Sequence, residues 1–131
     1  MSLGKPSEKP IGDSGEALAA KFLRQEGLRI LAVNYWTKAG EIDIVAKEGD
    51  TLVFVEVKTR STTHVARPEQ AVTKKKQRTI NRVAEQYMRN NGLLHKFKAR
   101  FDIVSIARDE QGELKVENHF RRAFDAPRKS Y

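Results

Sequence analysis

Glu41-Ile42-Asp43-Ile44-Val45-Ala46, Lys47-Glu48-Gly49-Asp50-Thr51 and Leu52-Val53-Phe54-Val55-Glu56-Val57-Lys58 follow one another without a break, and the fold turns on how they are read. The outer segments are apolar runs of strand length, and the middle one carries Gly-Asp, a two-residue hairpin signal. Side chains alternate across a strand, which sets Asp43 on one face with Glu41 and Val45, and puts Phe54, Glu56 and Lys58 on one face of the second run. With Gly49 and Asp50 as the loop, Glu48 pairs with Thr51. Stepping outward then sets Val45 opposite Phe54, Asp43 opposite Glu56 and Glu41 opposite Lys58. Opposed residues on antiparallel strands have Cβ atoms about 4.5–5.5 Å apart, and like charges so placed repel. Something positive must sit between Asp43 and Glu56.

Two readings supply it. A hard divalent cation such as Mg²⁺ takes one or two carboxylates and keeps other positions for water and phosphate, with Lys58 a cation within reach. Alternatively, Glu41 and Lys58 form a cross-strand ion pair and Glu56 lies on a solvated strand face.

The strings Gly40-Glu41-Ile42-Asp43-Ile44-Val45 and Val53-Phe54-Val55-Glu56-Val57-Lys58-Thr59-Arg60 resemble the Asp, then Glu-x-Lys signature of the PD-(D/E)XK nuclease superfamily. Within it the chain is similar to the small bacterial UPF0102, or YraN-like, family, from about Gly15 to Asp125. That span takes in Asn34, the strand Phe101-Asp102-Ile103-Val104 and the terminal Ala123-Phe124-Asp125. The resemblance implies a restriction endonuclease-like core and metal-dependent hydrolysis of nucleic-acid phosphodiester bonds. Asp43 and Glu56 would hold Mg²⁺ or Mn²⁺, the backbone carbonyl of Val57 would complete the shell, and Lys58 would orient or activate water. Glu16 matches a first-helix glutamate that reaches the metal through water. Gln77 matches a polar helix residue of some superfamily members, although Asn81 stands where their tyrosine would follow.

At 131 residues and 39% apolar content the chain suits one core. No stretch approaches the roughly eighteen apolar residues of a membrane span, and no signal segment opens the chain, so a cytoplasmic protein without a membrane partner is expected. Zero cysteines exclude disulfides and thiolate chemistry, and His64, His95 and His119 lack ligand spacing, which leaves oxygen to hold any metal.

A net charge of +8 points to a polyanionic partner. The segment from Thr73 to Arg82 concentrates it, with Lys74, Lys75, Lys76, Arg78 and Arg82 around Gln77. Val72, Ile80, Val83, Ala84, Tyr87 and Met88 recur at helical spacing, so an amphipathic helix from about Val72 to Asn90 is predicted, its basic face tracking phosphates. Arg60 and Lys47 are further phosphate clamps, Arg offering a bidentate fork.

The predicted order is helix, three strands, helix, two strands: an α/β domain over residues 12–126 with a mixed central sheet flanked by helices. Tails at 1–11 and 127–131 are expected outside it, the first disordered. Asp13 and Glu16 resemble a capping box opening a helix from Ala17 to about Glu26, with Leu18, Ala19, Phe22 and Leu23 inward and Gly27 as its stop. Strands follow over 28–35, in the hairpin, and over 101–107 and 114–120. Residues 61–70 form a polar loop, either a connector or a substrate flap. Asp102 reads as an edge ion pair with Arg100 or Lys98. Tyr35 and Trp36 either stack on an unpaired base or close the end of a core.

Three function classes remain: a nuclease acting on DNA, structure-specific or non-specific; a non-catalytic nucleic-acid-binding module; and a basic protein-interaction domain. Two-strand cutting would suit a homodimer, for which the sequence marks no interface.

Overall fold

The computed structural model describes residues 14–61 and 72–125. The predicted tails and almost all of the 61–70 loop lie outside the described residues. The order of elements is as expected: α1 (Gly15–Gln25), β1 (Arg29–Thr37), β2 (Gly40–Glu48), β3 (Thr51–Ser61), α2 (Lys74–Asn90), β4 (Lys98–Arg108) and β5 (Leu114–Phe124). One sheet runs β1-β2-β3-β4-β5. Its neighbours are antiparallel except β3 and β4, which run parallel because α2 forms the crossover between them.

Both faces of the sheet are covered. On one, Ala19, Ala20 and Leu23 of α1 pack on Ile44, Ala46, Val53, Val55, Val104 and Ile106. On the other, Ile80, Val83, Ala84, Tyr87 and Met88 of α2 pack on Tyr35, Ile42, Val45, Leu52, Phe54, Phe101 and Ile103. The apolar spacing read for α2 is realised in full, with Val72 buried just before it. In α1, Ala19 and Leu23 are buried as expected, whereas Leu18 and Phe22 are only partly covered. The helix begins at Gly15, two residues before the predicted Ala17: Ser14 is the N-cap, accepting from the Ala17 amide, and Glu16 is the second helical residue. The capping-box reading of Asp13 with Glu16 therefore fails.

The hairpin register is the predicted one from Glu48↔Thr51 through Val45↔Phe54 to Ile44↔Val55, and there the ladder stops. At that level both β1 and β2 break their alternation. Val33 and Ile44 belong to the α1 core, but Tyr35 and Ile42, two residues along on each strand, belong to the α2 core. Asn34 lies between, at φ 51, in the left-handed region that Asn tolerates better than most residues. The turned end of the β1–β2 ribbon meets α2 closely: a Cβ on Gly40 would stand 2.6 Å from Thr79 Cγ2. The parting of β2 from β3 opens the space in which the charged residues meet.

Candidate active site

Asp43 does not pair across to Glu56 as a ladder residue. Its Oδ2 instead accepts the Val57 amide at 2.8 Å, so a side chain satisfies the backbone donor left where the strands part. Glu56 stays on the α2 face and is 7% exposed. A cavity of about 320 Å³ lies between them, lined by Glu41, Asp43 and Glu56 from the sheet and by Thr73, Lys75 and Lys76 from the start of α2. Two larger hollows, of about 680 and 640 Å³, involve α1 and the β4–β5 region and contain neither Asp43 nor Glu56. The smaller one is the hollow that gathers the carboxylates singled out in the sequence.

The predicted positive partner is present, as lysine. Lys76 Nζ lies 2.8 Å from Glu56 Oε2 and Lys58 Nζ 3.6 Å from the same atom. The expected Glu41–Lys58 pair does not form, because the ladder ends before reaching it. Burial and the charge of Glu56 raise the Asp43 carboxyl from 3.8 to about 7 against the Val57 hydrogen bond, with Glu16 and Glu41 adding to the rise. Glu16 thus acts on the site from the first turn of α1, which is seated on β3: a Cβ on Gly15 would meet Thr59 Oγ1 at 2.6 Å. The hydrogen bond to Glu56 holds the Lys76 ammonium above its usual range.

Asp43 and Glu56 bring hard oxygen donors to one cavity, the chemistry that Mg²⁺ or Mn²⁺ requires, and Val57 adjoins it through the amide that Asp43 accepts. Among the described residues no three of His, Cys, Asp and Glu are close enough together to hold a metal by themselves. A cation there would rest on two carboxylates, a carbonyl, water and substrate oxygens.

Other predicted residues are placed elsewhere. Arg60 donates from Nε and Nη2 to Glu117 Oε1 on β5, at 2.9 and 2.7 Å, and Ser105 donates to the same oxygen. Lys47 lies at the far end of the hairpin over the Phe97 ring, 5.2 Å from its centroid, away from the carboxylates. Gln77 donates to the Val72 carbonyl, closing the approach to α2. Lys74, Lys75, Arg78 and Arg82 form the exposed basic face, and Lys76 leaves it for Glu56. A signal for Lys76 was present: it sits four residues before Ile80 and seven before Val83, on the apolar stripe of the helix. Tyr35 is in the core, edge-on to Tyr87 at 5.1 Å, and takes no part in stacking on a base.

Asp102 is the clearest correction. It is a fully buried residue of an interior strand, not an edge one. The expected partner Arg100 does reach it, at 3.0 and 3.1 Å, joined by His119 Nε2 at 2.8 Å and the Arg122 amide at 3.0 Å. Arg122 is left-handed, at φ 53, inside an irregularity that lengthens β5 beyond the predicted 114–120. Asp102 fastens that irregularity.

The family model described as Uncharacterised protein family UPF0102 matches residues 15–106. The chain belongs to the UPF0102 family. It is 46% identical over 117 residues to a UPF0102 protein of Alkaliphilus oremlandii, covering 88% of this chain and 98% of that protein. A UPF0102 protein of Caldicellulosiruptor saccharolyticus is 40% identical over 118 residues, 90% of this chain and 99% of the other. One from Rhodococcus jostii is 42% identical over 114 residues, 87% and 95%. The part that matches the UPF0102 model contains Glu16, Asp43, Glu56, Lys58 and the whole of α2, and stops before β5. No helix among the described residues of this UPF0102 protein is long and apolar enough to cross a membrane.

Proposed function

We propose that this UPF0102 protein is a metal-dependent nuclease of the PD-(D/E)XK kind, hydrolysing phosphodiester bonds in DNA without reading sequence. One observation carries the reading: two carboxylates, Asp43 and Glu56, line one cavity with the basic start of α2, beside Lys58, and there burial first and the Glu56 charge second push Asp43 to about 7.

Asp43 Oδ1, Glu56 and the Val57 carbonyl would hold Mg²⁺ or Mn²⁺. When bound, the metal would lower the pKa of the attacking water and neutralise charge developing on the phosphate. Lys58, 3.6 Å from Glu56, would hold and orient that water. Glu16 would act through solvent, as its charge already reaches Asp43. Lys74, Lys75, Arg78 and Arg82 would grip successive phosphates, giving affinity without base choice. Arg60 would join them only by leaving Glu117. Cutting both strands of a duplex would need two such centres, which is the case for a homodimer.

A second reading is supported by Lys76, which already neutralises Glu56: a nucleic-acid-binding module that does no chemistry. End-labelled single-stranded, duplex, flap and junction DNA, with an RNA counterpart, incubated with Mg²⁺, Mn²⁺ or chelator, separates the two. The nuclease reading expects metal-dependent products that Glu56→Ala and Lys58→Ala lose. Identical faint products from all proteins, with binding intact, select the module.

A further inference from the structure

Lys76 is one of five cations in the basic segment, yet its side chain is used differently from the other four. Lys74, Lys75, Arg78 and Arg82 are exposed and make no ion pair among the described residues. Lys76 reaches back to a glutamate whose side chain is 8% exposed. The contact, at 2.8 Å, occupies Glu56 Oε2, one of the oxygens the proposed divalent cation would use. An ammonium and a divalent metal repel each other, and both cannot rest on that oxygen.

The Lys76 backbone is pinned while its side chain is free to leave. Its amide donates to Thr73 Oγ1, the N-cap of α2, at 3.1 Å, so the helix start does not depend on where the ammonium goes. The side chain is 44% exposed, with Lys75 beside it lining the same cavity. A rotamer change on a four-carbon stem carries the charge from Glu56 out to the basic face, with no movement of the fold. A phosphate bound at the first turn of α2 would hold it there, where the helix N-terminus also favours negative charge.

We propose that Lys76 is an internal counter-cation which neutralises Glu56 until metal enters, and that nucleic-acid phosphate, by drawing Lys76 away, makes metal loading and nucleic-acid binding reinforce one another. This rests on the metal reading above and concerns how that site is controlled. Each ligand removes an obstacle to the other: DNA vacates Glu56, and metal on Glu56 releases a cation to the DNA. Because the coupling is one of equilibrium binding, it must be reciprocal. The metal centre would then fill mainly when substrate is on the protein.

Calorimetric titration of metal-free protein with Mn²⁺, alone and with a saturating short single-stranded DNA oligonucleotide, tests this, with the oligonucleotide alone and Glu56→Gln as blanks. Wild type is expected to bind Mn²⁺ about tenfold more tightly with DNA present, within the usual range of allosteric coupling. Lys76→Met is expected to bind Mn²⁺ about tenfold more tightly than wild type without DNA, and to gain nothing further from DNA. Lys76→Arg, which keeps the charge, should behave as wild type, and Lys98→Met, an exposed lysine beside Asp50 at the hairpin end of the sheet, should leave Mn²⁺ affinity without DNA within about twofold of it. If Lys76→Met and wild type bind Mn²⁺ equally through Glu56, or DNA tightens both alike, the counter-cation inference is overturned and the metal reading stands. Absence of any Glu56-dependent Mn²⁺ binding in all the proteins overturns the metal reading, and this inference with it.

Discussion

Asp102 and Asp43 are aspartates placed among apolar strand residues of one sheet, and their surroundings treat them in opposite ways. Asp102 is completely buried, yet Arg100, His119 and the Arg122 amide surround it with donors. Burial opposes its charge, but the hydrogen bonds from His119, Arg100 and Arg122 overcome that and hold it below the usual carboxylate range. Asp43 accepts from the Val57 amide, and its burial together with the charges of Glu56, Glu16 and Glu41 raises it. A fully satisfied buried carboxylate is scaffold, because every lone pair is already used. One that is crowded by like charges and opens on a cavity retains capacity for a ligand.

The largest expected effect breaks the scaffold side. Asp102→Ala leaves Arg100 and His119 buried around an absent charge, and should lower stability by about 3–5 kcal/mol in chemical denaturation, with no requirement for metal. Glu56→Gln breaks the other side: cleavage and Mn²⁺ binding should fall by about a hundredfold or more while the denaturation midpoint moves little, since Lys76 keeps a hydrogen-bond acceptor.

A smaller effect sharpens the contrast through pH. A carboxyl raised in the fold favours folding while protonated, so Asp43 makes metal-free protein lose stability as pH rises from about 4 to about 7. Asp102, depressed in the fold, contributes stability above its ordinary value that is lost as pH falls below it. Asp43→Asn keeps an acceptor for the Val57 amide and removes the charge. In chelator at pH 8 it should be more stable than wild type by about 2 kcal/mol, roughly half the full linkage value because solvent reaches the site. Denaturant melts across about pH 2–8 should show the variant flat between about 4 and 7, where wild type declines, with the acid limb below about 4 unchanged in both. Smallest is the outer basic face: Lys75→Ala and Arg78→Ala should each weaken oligonucleotide binding a few-fold and reduce its salt slope by about one, leaving stability unchanged.

Much of this was legible in local patterns. A two-residue loop dictates which residues oppose one another, so Gly49-Asp50 specified the pairing from Glu48↔Thr51 to Ile44↔Val55. The apolar positions of α2 identified its buried face residue by residue. The errors share a cause, the assumption that alternation and pairing continue once begun. Asn34 turns its strand over, Asp43 replaces a ladder acceptor with a side chain, and Arg122 interrupts β5. The last two are local departures enforced by groups distant in the chain, Val57 for Asp43 and Asp102 for Arg122. Asp102 looked like an edge residue because its donors come from Arg100 nearby but also from β5, about twenty residues on.

The sequence by itself determined the order of elements, the hairpin with its register as far as Ile44↔Val55, the buried face of α2 and the UPF0102 resemblance, and it singled out Asp43, Glu56 and Lys58 as candidates. Those depend on periodicity, turn chemistry and short motifs, which act over a few residues. Tertiary structure alone decided that β2 parts from β3 at Ile44, that Glu16 reaches Asp43 electrostatically, that Arg60 is tied to Glu117, and that Lys76 is the cation beside Glu56. The physical reason is that charge acts through space. Which ion meets which depends on how α1 and α2 are seated against the sheet, and that seating is settled by the packing of two apolar cores rather than by the spacing of charges along the chain.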